Sequence, residues 1–377
     1  GENDVSATKT ASGGTGGRIE LTLKRQPGFT LEAAFDVPEA GILVLFGPSG
    51  CGKTTVLRAV AGLERAQGFV RIGRRIWQDD AKEIFVPTYE RSLGYVFQEA
   101  SLFEHLNVEK NLRFGLVRTK DADGEARLAE AIELLGIGEL LKRRVDELSG
   151  GERQRCAIAR SLCLKPDVLL MDEPLSALDW ARKREILPWL EKLRAELRIP
   201  ILYVTHSADE MARLANRVIV LDRGSVLAQG PLASVMTDLH VPVSSEYGPS
   251  SIVEGAIESV SNEWRTVDVR AGEWLIEVAS PAEAGAPTPR RGDKLRLRIL
   301  ARDVGIAREP VTGASVRNVL PAIVDEMVEE SGAYALVRLR SSGGTLLARI
   351  LRRSAAELGL APGMRVWALV KAAAVVV

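Results

Sequence analysis

The run Gly47-Pro-Ser-Gly-Cys-Gly-Lys-Thr-Thr55 has the makings of a polyphosphate cradle. Its glycines let successive backbone N–H groups turn inward onto phosphate oxygens, at the positive end of the helix that should follow. Within this GxxxxGK[ST] pattern, Gly47, Pro48, Ser49, Gly50, Cys51, Gly52 and Thr55 shape the loop and Lys53 adds a point charge between β- and γ-phosphates. The Thr54 hydroxyl can bind Mg²⁺. Farther along, Leu169-Leu-Met-Asp-Glu-Pro174 is an apolar run ending in two carboxylates. Side chains alternate along a strand, so Asp172 and Glu173 should point to different places. One can serve the metal, assigned here to Asp172, while Glu173 polarises an attacking water. Cys51 lies inside the loop, where N–H dipoles are expected to lower its pKa without giving it a catalytic role.

These groups need a scaffold that presents loops at the ends of buried strands. Ile42–Phe46, Val168–Met171 and Ile201–Val204 read as buried strands, and Thr54–Leu63, Gly124–Leu135, Gly151–Leu164 and Ala181–Leu197 as helices. Strands alternating with helices imply an α/β domain on a mainly parallel sheet. After Met236 the pattern changes. Residues 240–251 carry Pro, Ser and Gly and read as a linker. Alternation then marks strands at Thr266–Val269, Lys294–Ile299, Ala335–Arg340 and Arg365–Val370. A faint repeat matches the segment opened by Gly292 to the one opened by Gly363, within stretches beginning at Ser251 and Ser315. Two related OB-like β units are therefore expected. The organisation read from the sequence is a tail at 1–17, an α/β domain at 18–239, the linker at 240–251 and a β-rich domain at 252–377.

Leu148-Ser-Gly-Gly-Glu-Arg-Gln-Arg155 narrows the class. It resembles the signature of ABC ATPases, P-loop α/β domains with a helical subdomain. The resemblance implies that Ser149, Gly150 and Gly151, at a helix start, close over ATP held by the opposite subunit. Ser149 suits an N-cap that leaves N–H groups free for a γ-phosphate, and two sites completed by each other imply a homodimer. By the same resemblance Gln98, in Tyr95-Val-Phe-Gln-Glu99, corresponds to the glutamine that senses Mg²⁺ and the attacking water. Asp179, in Ser176-Ala-Leu-Asp179, lies in the loop that crosses the dimer interface. His206, in Tyr203-Val-Thr-His-Ser207, is similar to the histidine that touches the γ-phosphate. The family stacks adenine on an early aromatic residue, for which Phe29 is the first candidate and Phe35 the second.

The tail narrows the resemblance further. Ser315-Val-Arg-Asn-Val-Leu-Pro321, Leu347–Ser354, Glu357–Gly363 and Trp367–Lys371 resemble a Mop-type (TOBE-like) module, giving the pattern of the ATPase subunit of bacterial molybdate importers. Ser315, Arg317, Asn318 and Lys371 offer donors suited to molybdate or tungstate. Ala372-Ala373 stands where that family often has a hydroxyl residue, so the alternative that these donors brace the barrel stays open. The family implies ATP and Mg²⁺, integral membrane permease subunits contacted near Glu99–Glu109, a periplasmic molybdate-binding protein, and a peripheral place on the cytoplasmic face of the inner membrane. Importers of sulfate, iron or sugar, and soluble non-transport ABC ATPases, are the alternatives.

Bulk properties agree. The chain has 377 residues, 46% hydrophobic and 27% charged, which fits globular domains. Fifty basic residues balance fifty acidic ones, so no large positive field exists to hold nucleic acid. Three cysteines (Cys51, Cys156, Cys163) fit a reducing compartment better than a disulfide framework. No apolar run reaches the ~20 residues that a membrane-spanning helix needs.

Overall fold

The computed structural model describes residues 16–25, 28–119, 123–241, 243, 248–280, 288–372 and 375–376. They form two compact units, one running to His206 and including Leu214–Gln229, the other made of Ser207–Arg213 and Gly230 onward. Most of the expected tail, residues 1–15, lies outside the described residues. Gly17 does not belong to a tail, because it opens a strand and a Cβ there would stand 2.4 Å from the Arg71 carbonyl.

The first unit is built on an 11-stranded sheet. Its strands are β1 (Gly17–Arg25), β2 (Phe29–Val37), β3 (Gly41–Phe46), β4 (Gln67–Ile72), β5 (Arg75–Asp79), β6 (Ile84–Phe85), β7 (Leu93–Val96), β8 (Val168–Asp172), β9 (Pro200–Thr205), β10 (Arg217–Asp222) and β11 (Ser225–Pro231). The order β10-β3-β9-β8-β7 is parallel throughout, and β2-β1-β4-β5-β6 forms an antiparallel wing. Strands β3, β8 and β9 are almost continuously apolar and buried, as a sheet covered on both faces requires. The helices are α1 (Lys53–Ala61), α2 (Val108–Thr119), α3 (Gly124–Leu135), α4 (Gly150–Leu162) and α5 (Trp180–Glu196). Helices α2, α3, α4 and α5 pack on one another as the helical subdomain.

The second unit begins with two short helices, α6 (Ala208–Leu214) and α7 (Leu232–Met236). Sheet strands follow: β12 (Ser250–Ser261), β13 (Thr266–Ala271), β14 (Trp274–Ala279), β15 (Lys294–Leu300), β16 (Val304–Ala307), β17 (Asn318–Glu329), β18 (Tyr334–Ser341), β19 (Gly344–Leu351), helix α8 (Arg352–Glu357), β20 (Arg365–Val370) and β21 (Val375–Val376). They make two five-stranded sheets, β14-β13-β12-β15-β21 and β16-β20-β17-β18-β19, whose inner faces contribute to one apolar core. Ser250 and Ser251, placed by composition in a linker, are buried in β12, because both pair with β15, opposite Leu300 and Ile299.

The faint repeat is physical. Each sheet is led by a long strand with a register shift, at Ile257/Ser259 in β12 and at Val324/Glu326 in β17. At each shift the chain makes the same pair of bonds. Ile257 donates to the Asp293 carbonyl (2.9 Å) and accepts from Gly292 N (2.8 Å), while Val324 donates to Met364 (2.9 Å) and accepts from Gly363 N (2.8 Å). The counterpart of Ser251 is Asn318, not Ser315. Ser251 Oγ accepts from Leu347 N in β19, and Asn318 Oδ1 accepts from Glu277 N in β14, both at 2.7 Å. The two sheets thus fasten each other reciprocally. Asn318→Ala leaves the part-buried N–H and C=O of Glu277 without their Asn318 partners, a cost of about 1 kcal/mol. Amide exchange at Glu277 should accelerate by roughly tenfold or more in that variant, and an unchanged rate would remove Asn318 as a fastening.

Candidate active site

Four neighbouring parallel strands bring the sequence motifs to one edge. At their carboxyl ends stand the loop after β3, His206 after β9, Asp172 and Glu173 at β8, and Gln98 just beyond β7. The carboxyl edge of a parallel sheet is where such folds bind ligands.

The loop after β3 is shaped by close approach. A Cβ on Gly47 would lie 2.2 Å from the Leu221 carbonyl, so only glycine lets the chain pass β10. Gly52 has φ 108° and caps α1, with Leu31 and Phe29 against it. Lys53 is 4% exposed, and its ammonium donates to the carbonyls of Gly47 and Pro48, both at 2.8 Å. An open cleft of about 520 Å³ is lined by Arg25, Phe29, Ser49, Gly50, Gly52, Lys53, Thr54, Thr55 and Glu173. Phe29 therefore faces the cleft, whereas Phe35 is fully buried in the core. Cys51 is buried, and desolvation raises its thiol pKa despite the neighbouring Lys53, opposite to the lowering expected from the loop dipoles.

The two carboxylates diverge because Asp172 ends β8 whereas Glu173 stands in the left-handed turn after it. Asp172 Oδ1 accepts from the Thr54 hydroxyl (2.8 Å) and Oδ2 from Tyr95 OH (3.3 Å). Burial raises the Asp172 pKa, and the bonds from Thr54 and Tyr95 partly offset it. Burial, followed by the charge of Asp172, raises that of Tyr95. Glu173 has φ 45°, an uncommon conformation for a side-chain-bearing residue. Its N–H donates to Val204 O (3.0 Å), and its carbonyl accepts from Ser176 N and Oγ, which hold the turn. The carboxylate so directed lies 3.2 Å from His206 Nδ1.

The remaining site residues stand apart from this cleft. Gln98 is exposed on the loop after β7. Ser149 caps α4 through a reciprocal box, accepting from Glu152 N (3.2 Å) while Glu152 accepts from Ser149 N (2.8 Å). That backbone bond lowers the Glu152 pKa. Asp179 caps α5, accepting from Arg182 N (2.9 Å). A Cβ on Gly150 would meet Leu178 at 2.6 Å, so the start of α4 packs on the loop carrying Asp179, with Gly151 buried one residue on. Of the oxyanion candidates, Ser315 and Lys371 are exposed and Arg317 pairs with Glu277 (2.8 Å). Asn318 is buried and bonds Glu277 N and O. Sequence reasoning missed Arg25 and Tyr95. Arg25 pairs with Phe29 across the β1–β2 hairpin, and Tyr95 lies in the quoted stretch before Gln98.

This fold and cleft are those of an ATP-binding cassette ATPase. A model of the ABC transporter family matches residues 31–176, and one of the TOBE domain matches 314–377. Among solved structures, CbiO1 from Clostridium perfringens, part of the ABC transporter complex CbiONQ, has a TM-score of 0.53 and 28% identity, covering 59% of this chain and 91% of its own. Two relatives are the molybdenum import ATP-binding proteins ModC of Thiobacillus denitrificans and ModC 1 of Azotobacter vinelandii. Each is 48% identical, over 93% and 92% of this chain and 95% of the relative. The chain belongs to the molybdenum import ATP-binding protein family, and it binds and hydrolyses ATP.

Glu173→Gln should bind ATP at parental affinity while hydrolysing it roughly 10²–10⁴ times more slowly; comparable losses of binding and turnover would assign Glu173 a structural role instead. Cys51, buried and with a raised pKa, should react with iodoacetamide at neutral pH far more slowly than a free thiol, and Cys51→Ala should retain parental ATPase activity. Fast labelling would contradict that environment.

Proposed function

We propose that the chain is the motor subunit of an importer whose cargo is molybdate or tungstate. It works as a homodimer on the cytoplasmic face of the inner membrane, with integral permease subunits and a periplasmic molybdate-binding protein. The observation that carries this reading is the joint presence of the Lys53–Thr54–Asp172–Glu173–His206 cleft and near full-length similarity to proteins named for molybdenum import. Among the described residues no helix is long and apolar enough to cross a membrane, so in this reading separate subunits form the path.

On ATP binding, Lys53 exchanges its loop carbonyls for phosphate oxygens, and Phe29 offers an aromatic face to the base. Glu173 takes a proton from, or polarises, the attacking water, and His206, 3.2 Å from the Glu173 carboxylate, contacts the γ-phosphate. The Thr54 hydroxyl and Asp172 carboxylate fit Mg²⁺, which favours few protein oxygens alongside substrate phosphates. When bound, the metal would neutralise charge on the phosphates. Gln98 would sense its occupancy. Ser149, Gly150, Gly151 and Asp179 belong, in this reading, to the cleft of the partner subunit, which explains their absence from the lining of their own.

The contacts of the tail favour bracing over anion capture. An oxyanion brought to Ser315, Arg317 and Lys371 would meet the Glu277 carboxylate already paired with Arg317 Nε, and the two negative charges would repel. ATPase activity of the complex reconstituted with permease and binding protein tests the cargo. Molybdate or tungstate should stimulate it severalfold, and sulfate should not. Equal stimulation by sulfate would overturn the cargo while leaving the ATPase intact.

A further inference from the structure

The helix that follows His206 does not cluster with the sheet that carries it. Residues Ser207–Arg213, most of α6, group with the β-rich unit, while His206 and Leu214–Gln229 group with the ATPase sheet. Besides the burial of Ala208, Met211 and Ala212, a pair of arginines on β15 grips α6. Leu297 and Ile299 of that strand are fully buried in the β core, so Arg296 and Arg298 project together from the other face. Arg298 forms an ion pair with Asp209 in the first turn of α6, and its Nε donates to the buried Ser250 (3.2 Å). Arg296 donates through Nη1 to the carbonyls of Ala212 (3.2 Å) and Arg213 (3.1 Å), at the other end of the helix. Glu254 on β12 fixes Arg296 in turn, at 2.7 Å.

The spacing fits. Side chains two apart on a strand are separated by about 7 Å, and Asp209 to Ala212–Arg213 spans about 5–6 Å of helix. A carboxylate in the first turn and carbonyls in the last present the two kinds of acceptor that neighbouring guanidinium groups can hold at once. Both arginines are mostly buried, with side chains 14% and 15% exposed, so the Arg298–Asp209 pair is less screened than a surface one. The ends of α6 lead directly to catalytic strands. Ser207 is bonded covalently to His206 at the end of β9, and past the helix Asn216 exchanges bonds with Ile42 N and O (both 2.8 Å) at the start of β3.

We propose that Arg296 and Arg298 are positioning residues for hydrolysis: by clamping α6 they set the placement of His206, so that the β-rich unit governs ATP turnover rather than ATP binding. This rests on the reading of His206 as the γ-phosphate contact. Neither arginine touches the nucleotide. Releasing the clamp should therefore leave the cleft of Lys53 and Phe29 unchanged and act on the chemical step alone.

The test uses the full-length chain in its reconstituted complex, with Asp209→Arg, Arg298→Asp and the double charge swap. Each single variant should lower kcat about tenfold, with KM for ATP changed less than about twofold. Hydrogen exchange across residues 206–213 should rise in both. The swap should restore at least half of the lost kcat and the exchange protection. Single variants that keep full kcat despite faster exchange would overturn the proposal, as would a loss of kcat and KM together that the swap does not recover. Asp209→Asn, which keeps the shape and removes the charge, supplies the same reading if a charge reversal does not fold. A His206→Ala variant with parental kcat would overturn the assignment of His206 itself, a result distinguishable from failure of the clamp.

Discussion

A buried ammonium must have oxygen around it, and the organisation of the ATPase unit follows from how Lys53 gets it. Its partners are the carbonyls of Gly47 and Pro48. Neutral carbonyls replace water for a cation only in part, so the loop is left short of negative charge, and a polyphosphate supplies what is missing. Keeping Lys53 there requires the loop to pass close under Leu221, which excludes any side chain at Gly47. It also requires α1 to stay in place. Arg91 sees to its far end, donating to Ala59 O (3.2 Å) and Val60 O (2.6 Å), with burial pushing its pKa down to about 10. A cation at the C-terminus of α1 complements the helix dipole and leaves the N-terminus for an anion.

The second requirement is register. Thr54 and Asp172 are far apart in sequence, yet they bond because β9 alone separates β3 from β8, with in-step parallel pairing on both sides. A slip by one residue in the β8–β9 ladder would turn Asp172 to the opposite face. Glu173 escapes that alternation by a left-handed backbone conformation. Such a conformation costs of order 1–3 kcal/mol, and here the Ser176 bonds and the Val204 carbonyl oppose it. The strain turns the carboxylate toward His206 while Asp172 stays with Thr54.

What the sequence revealed was local. The phosphate loop, the Asp-Glu strand end and the capped signature helix are contiguous, and each announces its geometry through residue types at fixed offsets. Cross-strand relations were hidden. Nothing near Arg25 shows that β1 and β2 place it beside Phe29 at the cleft, and Tyr95 acquires its role only because β7 pairs with β8. Cys51 was misjudged because dipoles can be read from a motif, whereas the depth of burial depends on residues brought in from β2 and β10. Asn318 looked like an oxyanion donor by type. Its amide is consumed by Glu277, a partner that spacing alone could not name.

The duplicated plan of the β-rich unit bears on how far a disturbance there travels. A TOBE model covers only 314–377, which holds four of the second sheet's five strands and, of the first sheet, only the short β21. Yet Ser251 of the first sheet is satisfied by Leu347 of the second, and Asn318 of the second by Glu277 of the first. Trp274, from the first sheet, donates to the Pro321 carbonyl and packs where a Cβ on Gly343 would stand. Neither half can satisfy its own buried polar groups, and the two share one core. Such a unit responds as a whole, because packed interiors transmit strain instead of absorbing it. A change anywhere along β12 or β17 must then reach β15, the strand from which Arg296 and Arg298 reach α6.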